Sequence, residues 1–266
     1  MLNEIDLVNA VIDIAYGAGE LILEVYSSNS PGTTYKADSS PVTIADIASN
    51  NYILKSLAKL TPKIQVISEE NLNDQVINKL TKQQEVWLVD PLDGTKEFLK
   101  HNDEFAINIG LVTNGYPVLG VVYAPALDIL YYGSEATGAW KKAGKQKPIK
   151  LNPETSHHNP KIIVSRSHLD KKTEEWLKKI GTYDLGGVGS SLKICYLAEG
   201  KADIYPHLHP IREWDTAAPD AILRLVGGQI IEKSSNQPVY NKPNLVQPSF
   251  IAFGPNIKPA EYLQHW

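Results

Sequence analysis

Two carboxylates three residues apart, Asp90 and Asp93, flank Pro91-Leu92 at the end of the apolar run Trp87-Leu88-Val89, and Gly94-Thr95-Lys96-Glu97-Phe98 follows directly. A short apolar run bounded by a turn signal predicts a buried strand over 87–89, with Asp90 at its carboxyl end. Proline donates no N–H and cannot continue a central strand, so a turn is expected at Pro91, presenting the Leu92 carbonyl outward. Thr95 to Leu99 reads as a first helical turn, whose free N–H groups and positive dipole end suit an anion. Like charges this close raise one another's pKa unless a cation keeps both ionised. Oxygen-only donors favour a hard divalent ion, and Mg2+ is usually held by one or two carboxylates with substrate phosphate and water. The same segment also reads, without metal, as an Asp-containing turn before an N-capped helix.

Other segments can complete such a site. Ser68-Glu69-Glu70 follows an apolar segment, so Glu69 can reach the sheet edge that carries Asp90, although adjacent glutamates are commonly just solvated. Thr43-Ile44-Ala45-Asp46 has the form of a capping box. Asp215, in Glu213-Trp214-Asp215-Thr216, is either a helix cap or a ligand brought from the second half of the chain to a cleft between subdomains. Gly186-Gly187-Val188-Gly189-Ser190-Ser191-Leu192-Lys193 resembles a phosphate-cradling loop before a helix, without matching a P-loop or a full dinucleotide fingerprint. Lys193 is unfavourable near a helix start unless an anion binds there. Ser165-Arg166-Ser167-His168 ends a further strand and leaves His168 open to ligand contact. His207-Leu208-His209 has no third imidazole or thiol at zinc-like spacing and is read as structural, and Cys195 falls in an apolar helical stretch and is read as core.

These residues need a frame. Val8, Val11, Ile12, Ala15, Gly19, Ile22 and Val25 recur at helical spacing and predict a long amphipathic first helix whose lack of basic residues favours core packing over a membrane surface. A second helix is predicted over Ile44 to Leu60, with Ile47, Ile53, Leu54 and Leu57 inward and Thr61-Pro62 ending it. Strand-like segments then follow at Ile64 to Ile67, Trp87 to Val89, Phe105 to Val112, Val118 to Tyr123, Ile129 to Tyr132 and Gly138 to Trp140. The stretch Lys141 to Pro160 is poor in apolar residues and marks an expected boundary between subdomains 1–150 and 151–266. Beyond it, strands near 162–164, 203–205 and 229–232 alternate with helices near 173–180, 192–199 and 216–226, an α/β pattern.

A net charge of −4 and a pI near 6.0 give no broad polyanion-binding face, which argues against duplex nucleic acid as a partner. One cysteine permits no intramolecular disulfide. The sequence has no uncharged apolar run near ~20 residues and no signal-like start, so a cytoplasmic protein without a transmembrane span is expected. Peripheral attachment to the cytoplasmic side of the inner membrane is left open.

Three motifs in order, Ser68-Glu69-Glu70, Asp90-Pro91-Leu92-Asp93-Gly94-Thr95 and Trp214-Asp215-Thr216-Ala217-Ala218, resemble the lithium-sensitive, magnesium-dependent phosphatases that include inositol monophosphatase and fructose-1,6-bisphosphatase. Lys36 to Thr43, Lys96-Glu97-Phe98, Val121 to Pro125, Ser165 to His168 and Gly189 to Lys193 are most similar to the bacterial CysQ-type branch of 3'(2'),5'-bisphosphate nucleotidases. The resemblance implies a five-layered α/β/α/β/α fold. It implies two or three Mg2+ ions, with Glu69, Asp90 and the Leu92 carbonyl holding one and Asp90, Asp93 and Asp215 a second. Gly94 and Thr95 would grip the scissile phosphate, while Thr95, Asp46 and Glu69 would activate water. Substrate contacts would involve Leu92, Asp93, Gly94, Thr95, Ser165, His168, Gly187, Gly189, Ser190, Lys193 and Asp215. The implied reaction converts adenosine 3',5'-bisphosphate to AMP and phosphate, clearing a by-product of sulfate assimilation. The alternatives are an inositol monophosphatase and a non-catalytic nucleotide-sensing protein of the same fold. The former is weakened because Tyr205 to His209 offers no acidic residue, and the latter by the retention of every metal carboxylate and Thr95. The oligomeric state is expected to be monomer or homodimer.

Overall fold

The computed structural model describes residues 3–28, 32–35, 41–72, 84–154, 158–167, 169–234 and 236–266. Helix α1 (Glu4–Tyr26) begins where the Asn3 side chain accepts the Asp6 N–H, and it buries Val8, Val11, Ile14, Ala15, Ala18, Gly19 and Ile22 along one face. After a short hairpin, β1 (Thr34–Tyr35) with β2 (Pro41–Val42), α2 (Ile44–Leu60) starts on the predicted capping box of Thr43 and Asp46. Its inward face carries Ala45, Asp46, Ser49, Asn50, Ile53 and Leu57. Ile47, expected inward, is 45% exposed, because the inward face is given over to polar groups that meet the strands below.

The first sheet runs, in spatial order, β3 (Gln65–Ser68), β4 (Glu85–Asp93), β5 (Ala106–Thr113), β6 (Tyr116–Ala124), β7 (Ile129–Ser134), β8 (Gly138–Ala143) and β9 (Ile149–Lys150). Strands β3 and β4 are parallel, and Ser68 pairs with Val89. Strand β4 does not stop at Val89 as expected. It continues through Pro91 to Asp93, and its pairing with β5 jumps from Asp90↔Asn108 to Asp93↔Ala106. Beyond Val89 the strand has lost its β3 neighbour, so a bulge absorbs the proline at the point where the ladder is already open on one side. Helix α3 (Thr95–Leu99) follows at once.

The second sheet has the order β11-β10-β12-β16-β14, comprising β10 (Lys161–Ser165), β11 (Asp184–Val188), β12 (Ile204–His207), β14 (Gln229–Glu232) and β16 (Phe250–Phe253). Strand β13 (Ile211–Arg212) pairs separately with β15 (Val246–Gln247). Gly186 and Gly187, expected in a loop, lie inside β11, paired in parallel with Ile163 and Val164 of β10. An edge strand tolerates such glycines because its ladder, not side-chain packing, holds it. The loop shrinks to Gly189-Ser190-Ser191.

Helices α4 (Lys171–Leu177), α5 (Leu192–Glu199), α6 (Ala217–Leu225) and α7 (Ala260–Leu263) complete the layers. Residues of α1 and α2 share one core with the first sheet. Its opposite face joins α5, α6 and the inner face of the second sheet, and α4 with Tyr262, Leu263 and Trp266 covers the outer face. The result is five layers, α/β/α/β/α. Glycines set how closely α6 approaches. A Cβ on Gly120 would stand 2.1 Å from the Ala218 carbonyl oxygen, and one on Gly110 2.9 Å from the Ala218 nitrogen. This backbone contact brings the start of α6 down onto β5 and β6. Among the described residues, no helix is long and apolar enough to cross a membrane, and α1 carries no basic residue to support peripheral attachment.

Candidate active site

Strand β3 ends in a 3-10 turn, Glu69–Asn71, fixed by the Asn71 side chain accepting the Ser68 N–H at 2.8 Å. The parallel register therefore places Glu69 beside the Asp90 end of β4. A second 3-10 turn, Glu213–Asp215, lies directly before α6, and Asp215 accepts the Arg212 N–H at 3.2 Å instead of capping the helix. One carboxylate oxygen from each of Glu69, Asp90 and Asp215 lies within 4.8 Å of the others.

Their electrostatics are adverse without a partner. Burial, then the negative charges of Glu69, Asp93 and Asp215, pushes the pKa of Asp90 well above the usual carboxylate range. Burial followed by Asp93 and Glu69 does the same to Asp215. Asp93 is also raised by burial, against the opposing pull of Lys193, the Ser191 N–H and Asn108. Converging carboxylates, with Asp90 and Asp215 pushed upward in pKa and no nitrogen or sulfur donor among the three, form a donor set that fits a hard divalent cation.

Polar contacts from α2 hold the bulge. Ser49 Oγ donates to the Pro91 carbonyl at 2.7 Å. Asp46 Oδ2 accepts from the Thr43 N–H at 2.7 Å and its hydroxyl at 2.6 Å, leaving Oδ1 to accept the Thr95 hydroxyl at 3.2 Å. Burial raises the pKa of Asp46 in spite of these bonds. Gly94 precedes α3 at φ 96°, a left-handed conformation that glycine reaches without strain. The Leu92 N–H donates to Asp90 at 3.0 Å, tying the bulge to its own carboxylate.

Across the cleft, the Ser191 N–H donates to Asp93 at 2.5 Å, and Ser191 Oγ donates to Asn108 Oδ1 at 2.6 Å. Lys193 is buried and donates to the Ser190 carbonyl at 2.5 Å. Burial lowers its pKa, while Asp93, Glu97, Asp215 and Glu104 pull it back up. These groups surround a cavity of about 380 Å3 lined by Glu69, Asp90, Leu92, Asp93, Gly94, Thr95, Ser165, Ser190, Lys193 and Asp215, with Pro41, Lys96 and Glu97 at its margin.

Two expected substrate contacts face elsewhere. The Gly187 carbonyl accepts Arg166 Nη2 at 2.7 Å, and the Gly189 N–H donates to Glu104 at 2.8 Å, within a bidentate Arg166–Glu104 pair. His168 lies outside the described residues, as do residues 36–40 of the Lys36 to Thr43 segment. Sequence reasoning missed Asn108 and Glu104. Asn108 had a signal, an amide side chain between Ile107 and Ile109 inside the apolar strand Ala106–Thr113, which a buried position must satisfy.

The sequence matches the inositol monophosphatase family over residues 4–261, and the chain belongs to that family. Among its relatives, the 3'(2'),5'-bisphosphate nucleotidase CysQ of Escherichia coli K12 is 42% identical over 226 residues, covering 84% of this chain and 89% of the relative. CysQ of Haemophilus influenzae is 34% identical over 256 residues, covering 95% and 94%. The crystal structure of CysQ from Bacteroides thetaiotaomicron superposes with a TM-score of 0.85 at 37% identity, covering 97% of this chain and all of that one. An inositol monophosphatase of Thermotoga maritima, at 23% identity and a TM-score of 0.79, shares the fold.

Proposed function

We propose that this protein is a 3'(2'),5'-bisphosphate nucleotidase, an Mg2+-dependent phosphatase that converts adenosine 3',5'-bisphosphate to AMP and phosphate in the cytoplasm. The observation that carries the reading is one cavity holding three converging carboxylates at one side and a buried lysine at the other. The CysQ relatives supply the nucleotide.

Glu69, Asp90 and the Leu92 carbonyl would hold one Mg2+, and Asp90, Asp93 and Asp215 a second; when bound, the ions would supply Lewis-acid stabilisation of charge on the phosphoryl oxygens. The Gly94 and Thr95 N–H groups donate to the scissile phosphate. Thr95 gives its hydroxyl hydrogen to Asp46, which leaves its oxygen free to accept a proton from the attacking water. The raised proton affinity of Asp46 suits it to receive the proton relayed through Thr95. The water oxygen forms the new P–O bond as the bond to the 3'-oxygen breaks, and that oxygen leaves with a proton from solvent. Lys193 offsets the negative charge of the substrate.

Phosphate release from adenosine 3',5'-bisphosphate and from inositol 1-phosphate, with Mg2+ and with EDTA, tests the reading. Higher kcat/KM for the nucleotide, loss of activity in EDTA and inhibition by lithium are expected. Preference for inositol 1-phosphate would sink the assignment, and full activity in EDTA would sink the metal. The lack of any carboxylate from Tyr205 to His209 weighs against the inositol ester, and the retained carboxylates and Thr95 weigh against a purely sensing protein.

A further inference from the structure

The loop Gly189-Ser190-Ser191, which leads into α5 beside the catalytic cavity, is held in a costly shape. Ser190 sits at φ 49°, in the left-handed region that a residue with a Cβ keeps only where its surroundings hold it. That conformation has two consequences in the cavity. It aims the Ser190 carbonyl at Lys193 Nζ and the next N–H, that of Ser191, at Asp93. A relaxed Ser190 would turn both peptide groups away.

On its other side the loop is gripped by Glu104. Oε2 of that carboxylate accepts the Gly189 N–H at 2.8 Å and Arg166 Nε at 2.7 Å, while Oε1 accepts Arg166 Nη2 at 2.6 Å. Arg166 Nη2 also donates to the Gly187 carbonyl at 2.7 Å, so the guanidinium ties the carboxylate to β11 and fixes which way it points. Glu104 itself is firmly placed. Its N–H donates to Asn102 Oδ1 at 3.1 Å, the preceding Asp103 both accepts from and donates to the Tyr26 hydroxyl of α1, and the following Phe105 is fully buried. Held at Gly189 by Glu104 and at Ser191 by Asp93, the chain leaves the residue between them no room to relax.

Stability alone accounts poorly for this arrangement. The Arg166 side chain is 50% exposed, and an ion pair with one partner in water contributes little to the fold. Glu104 stands behind the cavity wall, not in it.

We infer that Glu104 is a positioning residue: by gripping the Gly189 N–H it keeps Ser190 left-handed, and so keeps Asp93 and Lys193 in register across the cavity, with Arg166 orienting the carboxylate. The inference rests on the metal and phosphate roles proposed above for Asp93 and Lys193.

Three variants separate the parts. Glu104→Ala removes the grip, Glu104→Gln keeps an oxygen for the Gly189 N–H, and Arg166→Met removes only the orienting fork. Glu104→Ala should speed hydrogen exchange of the Ser191 amide, followed by NMR in metal-free protein, by about tenfold or more. It should also weaken Mg2+ binding about tenfold by calorimetry, and raise KM for adenosine 3',5'-bisphosphate more than it lowers kcat. Glu104→Gln should return all three readouts to within about threefold of the wild-type values, and Arg166→Met should fall between the two with little change in Tm. Wild-type exchange at Ser191 in Glu104→Ala would overturn the inference, as would a Glu104→Gln variant as impaired as Glu104→Ala. Should Glu104→Ala fail to fold, unchanged Ser191 exchange in Arg166→Met overturns it instead. If the wild-type protein binds no Mg2+ and turns over no nucleotide, the functional reading fails by itself, and the Ser191 exchange rates still decide whether Glu104 holds the loop.

Discussion

The two ends of the cleft solve opposite electrostatic problems. At the β4 bulge, Glu69, Asp90 and Asp215 converge with Asp93 close by; burial pushes Asp90, Asp93 and Asp215 upward in pKa, and repulsion from neighbouring carboxylates adds to it at Asp90 and Asp215. At the α5 end, burial pushes the pKa of the cation Lys193 downward, and beyond it the wall is aromatic. The first end is a preorganised deficit of positive charge. The second holds one positive charge beside an aromatic surface. Repulsion is concentrated at one end of the cavity system, and the buried cation Lys193 stands at the other.

That contrast is testable at either end. The largest effect is expected from Asp90→Asn, which should lower kcat/KM by about 10³-fold or more. In EDTA the same variant should melt at a higher temperature than the wild-type protein, because a buried, repelled carboxylate has become a neutral amide. A lower metal-free Tm by circular dichroism would break the claim of a charge deficit. Lys193→Met should cost about 10- to 100-fold in kcat/KM, the worth of one charged hydrogen bond to substrate, and an unaffected rate would remove the lysine from the phosphate path. Next comes Gly189→Ala. Its Cβ would meet the Glu104 carbonyl oxygen at 2.6 Å and Glu97 Cγ at 2.7 Å, so the loop must shift and loosen the Ser191 bond to Asp93. A loss of about 1–3 kcal/mol in stability is expected by urea titration, with reduced turnover.

A separate effect, on stability and not on turnover, is a pH dependence at His207. The folded pKa of His207, about 3, lies below the ordinary 6.5, so the unfolded chain binds its proton first as pH falls. Stability is therefore whole above pH 6.5 and declines as pH drops toward 3. His207→Gln, which cannot titrate, should flatten that decline, and parallel Tm-versus-pH curves for the two proteins would show that the ring is not held neutral.

Local signals were legible to the extent that they were chemically self-contained. The Thr43–Asp46 capping box and the bounds of α2, α5 and β14 follow from side chains within a few residues. The Asp90 to Thr95 motif carried its chemistry in its own spacing. Ile47 and the Gly186-Gly187 pair were misplaced because their environments come from other layers: α2 turns a polar face inward to meet the bulge, and β10 recruits the glycines into a ladder. Pro91 was misplaced because its tolerance depends on where β3 stops, which β4 alone does not encode.

By itself, then, the sequence determined the ligand types, the helix caps, the alternation that builds two sheets and the order of the three acidic motifs. Tertiary structure alone decided that Glu69, Asp90 and Asp215 meet, because their convergence depends on the β3–β4 register and on the backbone contact of α6 at Gly110 and Gly120. It also decided the surroundings of His207: the ring is buried against Phe250 and His209, and its Nδ1 is engaged by the Tyr205 hydroxyl. Burial and long-range register set those properties, and neither is a local property of the chain.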